Sequence, residues 1–141
     1  MKIKIKKLDP EAKIPNYAHP GDAGMDLFAL EEVTLEPNER IRVKTGMALE
    51  IPSGYVGLVW DKSGLSTGHG LKTLAGVIDA GYRGEVQIGM INLSTETYTL
   101  KKHDKVAQML IQPVDCPELE EVVELSNTSR GEDGFGSTGK N

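Results

Sequence analysis

In TLAGVIDAGYRGE (residues 73–85), Asp79 follows Ile78 and stands three residues before Tyr82, with Arg83 next to it. A carboxylate held between apolar and aromatic neighbours is a candidate general base. Aspartate is intrinsically a weak base, so that role requires a water held in a fixed place. A turn aspartate can equally bond its own backbone, and residue chemistry leaves the two uses evenly matched.

Four other stretches carry polar residues that strand formation alone does not require. HPGDAGMDLFA (19–29) places Asp26 after two turn glycines and before Leu27; its ordinary use is a loop entering a strand, with Asp26 bonding local backbone. WDKSGLSTG (60–68) offers hydroxyls and backbone N–H groups at Ser63 and Gly64, which suit an anion, with Lys62 as a point charge. Ser-Gly turns are common, so this signal is weak by itself. KKHDKVAQMLIQPV (101–114) embeds Gln108 in an apolar run, where a buried amide needs a partner. RGEDGFGSTGKN (130–141) combines the cations Arg130 and Lys140, the donors Ser137 and Thr138, and glycines that let backbone approach a ligand. Phe135 is the odd member of that tail and suggests that the segment docks against an apolar or π surface.

The run from Gly134 to Lys140 nearly matches a phosphate-binding P-loop, but Asn141 stands where Ser or Thr should reach a magnesium ion. A P-loop also opens a helix. With only two residues after Gly139, none is expected here, and the P-loop reading is set aside. His19, His69 and His103 show no metal-ligand spacing, and Cys116 reads as a packing residue.

These segments must be positioned by strands. KIKIKKL alternates, with Ile3 and Ile5 on one face. Further β-rich runs fall at 33–36, 40–45, 47–51, 55–60, 76–79, 85–92, 97–100, 105–114 and 119–125, separated by turn-forming clusters. Many short strands predict an all-β sandwich, jelly roll or barrel. A short helical turn is expected at 63–66. Ala80-Gly81 reads as a hairpin turn with Gly81 at positive φ, which would bring Asp79 and Tyr82 to the hairpin's end. The last dozen residues lack any period and read as mobile.

At 141 residues the chain suits one domain. A net charge of −5 argues against nucleic-acid binding through a broad basic surface, so a polyanion must meet a few local cations or a metal. One cysteine excludes a disulfide framework. No apolar run approaches a membrane span and the alternating start does not resemble a signal peptide, so a soluble, cytoplasmic protein without membrane partners is expected.

In this order and spacing, DAGMDL, KSGL, GVIDAGYRGE, DKVAQM and RGEDGFGSTG resemble the five motifs of the trimeric deoxyuridine triphosphatases, one after another. The resemblance covers nearly the whole chain. It implies an all-β, jelly-roll (distorted β-barrel) subunit of a homotrimer, with three sites each built from more than one subunit. Residues 1–129 would form the jelly-roll domain and 130–141 a flexible lid. The implied reaction hydrolyses dUTP to dUMP and pyrophosphate, with Mg2+ chelated by the triphosphate. Asp79 would orient and deprotonate the water that attacks the α-phosphorus. Asp26 would hold the metal's hydration shell as an outer-sphere ligand. Ser63, Gly64 and Gln108 would contact phosphate, with Lys62 beside them. Leu74, Ala75, Gly76 and Val77 would read the uracil edge through backbone, in a hairpin too tight for a 5-methyl group. Tyr82 would pack on the deoxyribose and exclude a 2′-OH. From a neighbouring subunit, Phe135 would stack on uracil, with Arg130, Gly136, Ser137 and Thr138 completing the lid near the γ-phosphate.

Two positions depart from the family pattern. Lys62, preceded by Asp61, stands where Arg is usual and keeps the charge without the planar fork. Thr73 stands where some members read uracil with an Asn side chain, which leaves recognition to backbone. The nearest rival readings are a dCTP deaminase, including bifunctional forms that also split the triphosphate, and a non-catalytic nucleotide-binding relative. Tyr82 and the complete glycine-rich tail favour the hydrolase over the deaminase. A pure binder would gain nothing from Asp79 facing a triphosphate.

Overall fold

The alternation at the start of the chain becomes a strand because it has a face to bury. In the computed structural model, which describes residues 1–139, β1 (Lys4–Lys7) pairs antiparallel with β5 (Met47–Glu50). Ile3 and Ile5 pack against the core while the lysines stay in solvent. The same period orders β9 (Gln87–Asn92), where Ile88, Met90 and Asn92 point inward and Gln87 outward.

The described residues form an all-β jelly roll of eleven strands and one short helix. One sheet runs β2 (Met25–Phe28), β11 (Lys105–Pro113), β6 (Tyr55–Trp60), β8 (Val77–Ile78). A second runs β4 (Arg40–Lys44), β9, β7 (Leu71–Leu74), and β3 (Val33–Leu35) pairs with β10 (Tyr98–Leu100). Every ladder is antiparallel. Leu27, Leu35, Val43, Met47, Leu71, Val86, Ile88, Met90, Leu100 and Met109 form one buried core between them.

Several sequence expectations change. Residues 119–125 form no strand: Leu119, Val123 and Leu125 are almost wholly exposed, because within one chain nothing offers them a face to cover. The helical turn is longer than expected, with α1 spanning Ser63–His69 and ending at Gly70 in the left-handed region (φ 73°). Residues 79–82 do make a turn, closed by Tyr82 N–H donating to the Asp79 carbonyl at 3.1 Å. Gly81, however, does not adopt positive φ; that conformation falls earlier, at Ala75 (58°) and Gly76 (123°). The arms on either side of Ala75-Gly76 belong to different sheets, β7 to β9 and β8 to β6. Cys116 is exposed and does not pack.

Asn92 shows how polar groups survive in this core. Fully buried, it donates from Nδ2 to the carbonyls of Leu35 and Glu96, and its Oδ1 accepts from the Ser94 N–H and hydroxyl. It thereby ties the end of β9 to β3 and to the turn that leads into β10. Replacing it leaves those buried groups without partners, at about 1–3 kcal/mol for each loss. Asn92→Ala should therefore lower unfolding stability by roughly 2–4 kcal/mol in urea titrations at fixed protein concentration. A change below about 0.5 kcal/mol, the range of an ordinary surface substitution, would contradict this.

Candidate active site

Asp26 sits in the middle of β2, a strand buried at all four positions, which is why it shows no period in the sequence. Its backbone N–H donates to the Asn16 carbonyl, but its carboxylate does not bond local backbone. Lys62 reaches Oδ1 at 2.7 Å and Lys105 reaches Oδ2 at 2.8 Å, although the carboxylate is only 2% exposed. The Lys105 contact is thus an ion pair at hydrogen-bonding distance on a buried oxygen. Burial alone would raise the Asp26 pKa, but the Lys105 and Lys62 ammonium groups outweigh it and hold the carboxyl below the usual aspartate value. Lys105 was not singled out in the sequence. Its place in DKVAQM, opposite DAGMDL, was the available signal.

Gln108 occupies the centre of the same sheet, in register with Asp26 on β2 and Trp60 on β6. Its Nε2 donates to the Asp61 carbonyl at 2.8 Å, which supplies the partner that a half-buried amide requires. Gly24 makes room for it, since a Cβ there would lie 2.5 Å from Gln108 Oε1. The chain leaves β6 through Asp61 and Lys62 and enters α1. Leu65 and Ser66 donate to the Lys62 carbonyl, so the N–H groups of Ser63 and Gly64 have no acceptor in the helix. Both residues are exposed. Asp26 on β2, Gln108 on β11 and Lys62, Ser63 and Gly64 just past β6 are thus gathered around the end of β6.

A cleft of about 700 Å³ lies on another part of the surface. Leu74, Ala75, Gly76, Val77, Ile78, Asp79 and Tyr82 line one side, and the outer face of β4 and β9 lines the other. Gly76 is required here: its carbonyl accepts from Val59 N–H at 2.8 Å, and an added Cβ would sit 2.8 Å from the Val59 oxygen. Tyr82 is fixed by its hydroxyl, which donates to the Glu85 carbonyl at 2.9 Å. The exposed Asp79 side chain makes no hydrogen bond among the described residues, so it is not spent on its own turn. Arg40 and Arg42 also line the cleft, and sequence reasoning did not select them. The alternation in RIRVK, which sends both to one face of β4, could have.

The tail joins neither group. Arg130 Nε donates to the Asp133 carbonyl and Ser137 N–H to that of Gly134, which folds residues 130–139 into local turns. Phe135, Gly136, Ser137 and Thr138 are exposed, and Phe135 covers no surface of its own chain. Lys140 lies outside the described residues. The cleft lining likewise contains none of Asp26, Lys62, Ser63, Gly64 or Gln108. No helix among the described residues is long and apolar enough to cross a membrane.

The family model described as dUTPase matches residues 10–139. The chain belongs to the dUTPase family. A deoxyuridine 5′-triphosphate nucleotidohydrolase of Clostridium kluyveri is 48% identical over 99% of this chain and 99% of its own length. Among solved structures, the Staphylococcus bacteriophage 80alpha dUTPase with dUpNHpp is similar at a TM-score of 0.93, with 36% identity and 99% of both chains covered. A mutant dUTPase from phage phi11 of S. aureus, whose structure reveals the coordination of a structural Mg(II) ion, is similar at a TM-score of 0.85, with 33% identity over 90% of this chain and all of that one.

The buried Asp26 group carries a pH signature. A carboxyl depressed in the folded state stabilises the fold fully above its unfolded pKa, about 3.9, and loses that contribution as pH falls through the depressed value. The Tm difference between wild type and Asp26→Asn should stay constant from about pH 7 to about pH 5 and narrow below about pH 3.9. A difference that did not change with pH in thermal melts would contradict the ion pairs.

Proposed function

We infer that the protein hydrolyses dUTP to dUMP and pyrophosphate, as its family membership implies, and that each site is completed by more than one copy of the chain. The single observation that carries the shared-site reading is the separation of chemistry within one chain. The Asp79–Tyr82 cleft holds none of the cations, N–H groups or amides gathered around Asp26. A homotrimer would bring the cleft of one copy to the Asp26 group of the next, and the tail of a copy over both.

In that arrangement the backbone of Leu74, Ala75, Gly76 and Val77 reads the uracil edge. The Gly76 carbonyl, accepting from Val59 N–H, anchors that turn, and in this reading the turn is too tight for a 5-methyl group. Tyr82, held by Glu85, packs on the deoxyribose and rejects a 2′-OH. Ser63 through its hydroxyl, Gly64 through its N–H and Gln108 through its amide contact phosphate oxygens. Asp79 orients a water and takes its proton as the water oxygen bonds to the α-phosphorus. The bond from that phosphorus to the bridging oxygen breaks, and pyrophosphate leaves. Phe135 stacks on the base, while Arg130, Gly136, Ser137 and Thr138 close the lid and exclude bulk water.

The residues suit a magnesium ion that arrives on the triphosphate. Among the described residues no group of three or more His, Cys, Asp or Glu could hold a metal ion, and the Asp26 carboxylate, paired with Lys62 and Lys105, would meet a metal only through its water shell. Bound with the substrate, magnesium supplies neutralisation of triphosphate charge. Asp26 is flanked by two lysines, so it offers little to a free cation, and Mg2+ titrated calorimetrically into the protein alone should give no specific binding. Tight binding without nucleotide would overturn the outer-sphere role.

The purified protein, given each dNTP and UTP with magnesium, should release pyrophosphate from dUTP alone and no ammonia from dCTP. Asp79→Asn should retain dUTP binding and lose roughly 10²–10⁴-fold in turnover. Deleting residues 130–141 should leave the fold intact and cripple hydrolysis. Near-normal turnover in Asp79→Asn would remove the proposed base, and full activity after the deletion would remove the lid.

A further inference from the structure

Asp61 stands immediately before the Lys62 departure, and its side chain points away from the phosphate-contacting residues. Its Oδ1 accepts the backbone N–H of Thr73 at 2.7 Å, and its Oδ2 accepts from the Lys72 ammonium at 2.7 Å. Thr73 lies on β7, whose partner strand β9 is on the other side. The carboxylate therefore gives this edge N–H the acceptor that a neighbouring strand would otherwise supply. Burial raises the Asp61 pKa, but the bonds from Lys72 and Thr73 outweigh it and keep the group charged. A charged acceptor on a backbone N–H is among the stronger hydrogen bonds.

Thr73 is followed directly by Leu74, Ala75 and Gly76, where the backbone turns through two residues at positive φ. The far side of that turn is anchored by the Gly76 carbonyl on Val59 N–H and by the pairing of β8 with β6. The near side has β9 on one edge and Asp61 on the other. We propose that Asp61 is a positioning residue for base recognition: through Thr73 it fixes the near arm of the turn at 74–77, and with it the fit of uracil against its 5-methyl analogue. The proposal rests on the dUTPase reading of that turn. Asp61 touches no substrate; it acts through β7.

Three variants separate positioning from general stability. Asp61→Ala removes both bonds, Asp61→Asn keeps an oxygen for the Thr73 N–H, and Lys72→Met removes the ion pair and the ammonium's bonds to the Thr73 carbonyl and hydroxyl while leaving the Asp61 bond to the Thr73 N–H. In Asp61→Ala the KM for dUTP should rise roughly tenfold or more, with kcat within about threefold of wild type. The ratio of kcat/KM for dUTP over dTTP should fall at least as far, and hydrogen exchange at the Thr73 amide should accelerate. Asp61→Asn and Lys72→Met should retain most of the discrimination and slow Thr73 exchange. The proposal is overturned if Asp61→Ala discriminates as wild type does. It is equally overturned if dUTP and dTTP turnover fall in parallel with Tm and the Asn variant gives no rescue. A wild type that hydrolyses no dUTP would overturn the enzyme reading itself, and base positioning with it.

Discussion

A carboxylate with almost no solvent contact must be neutralised where it stands, and Asp26 is neutralised from two directions. Lys62, at the exit of β6, and Lys105, at the start of β11, converge on it. Sheet pairing sets β11 between β6 and β2, with Gln108 of β11 opposite both Trp60 and Asp26. Breaking such a group by removing one partner is costlier than never forming it, because an unpaired charge then remains buried. The same pairing therefore fixes the sheet's register and holds three sequence-distant segments around one point.

That constraint also separates the two halves of the chemistry. β6 pairs with β8 through Gly57 and Leu58 and leads at its end to Lys62, so one strand supports both the Asp79 turn and the Asp26 group. Yet the cleft with Asp79 and Tyr82 opens toward β4 and β9. A rigid sheet cannot fold one half onto the other without breaking ladders. The economical solution is a second copy of the chain that presents the missing half. Shared sites also rationalise exposed apolar residues such as Phe135, Val77 and those at 119–125, which one chain leaves uncovered.

Much of this was legible in the residues. Period-2 runs with one apolar face, as in β1 and β9, announced themselves because burial on one side leaves that imprint. β2 did not, since Met25, Asp26, Leu27 and Phe28 are all buried and alternation vanishes. Residues 119–125 showed the opposite failure, an apolar-rich run that stays exposed and pairs with no strand. The left-handed turn falls a few residues from the expected place, at Ala75 (φ 58°) and Gly76 between β7 and β8, because alanine, unlike glycine, gives no sequence signal for that conformation. Gln108 and Asp79 stand out by type and context, whereas the places of Lys105, Arg40 and Arg42 depend on which strands lie side by side. Pairing is a tertiary fact that local pattern does not carry.

The most direct test of shared sites is complementation between two inactive variants. Asp79→Asn damages the cleft half, and Asp26→Asn damages the other. Each alone should be inactive on dUTP. Unfolded together in equal amounts and refolded, they should recover about a quarter of wild-type sites by random assortment, since some interfaces then pair two intact halves. Refolded mixtures that stay as inactive as either variant would place both halves of each site in one chain and contradict the shared-site reading.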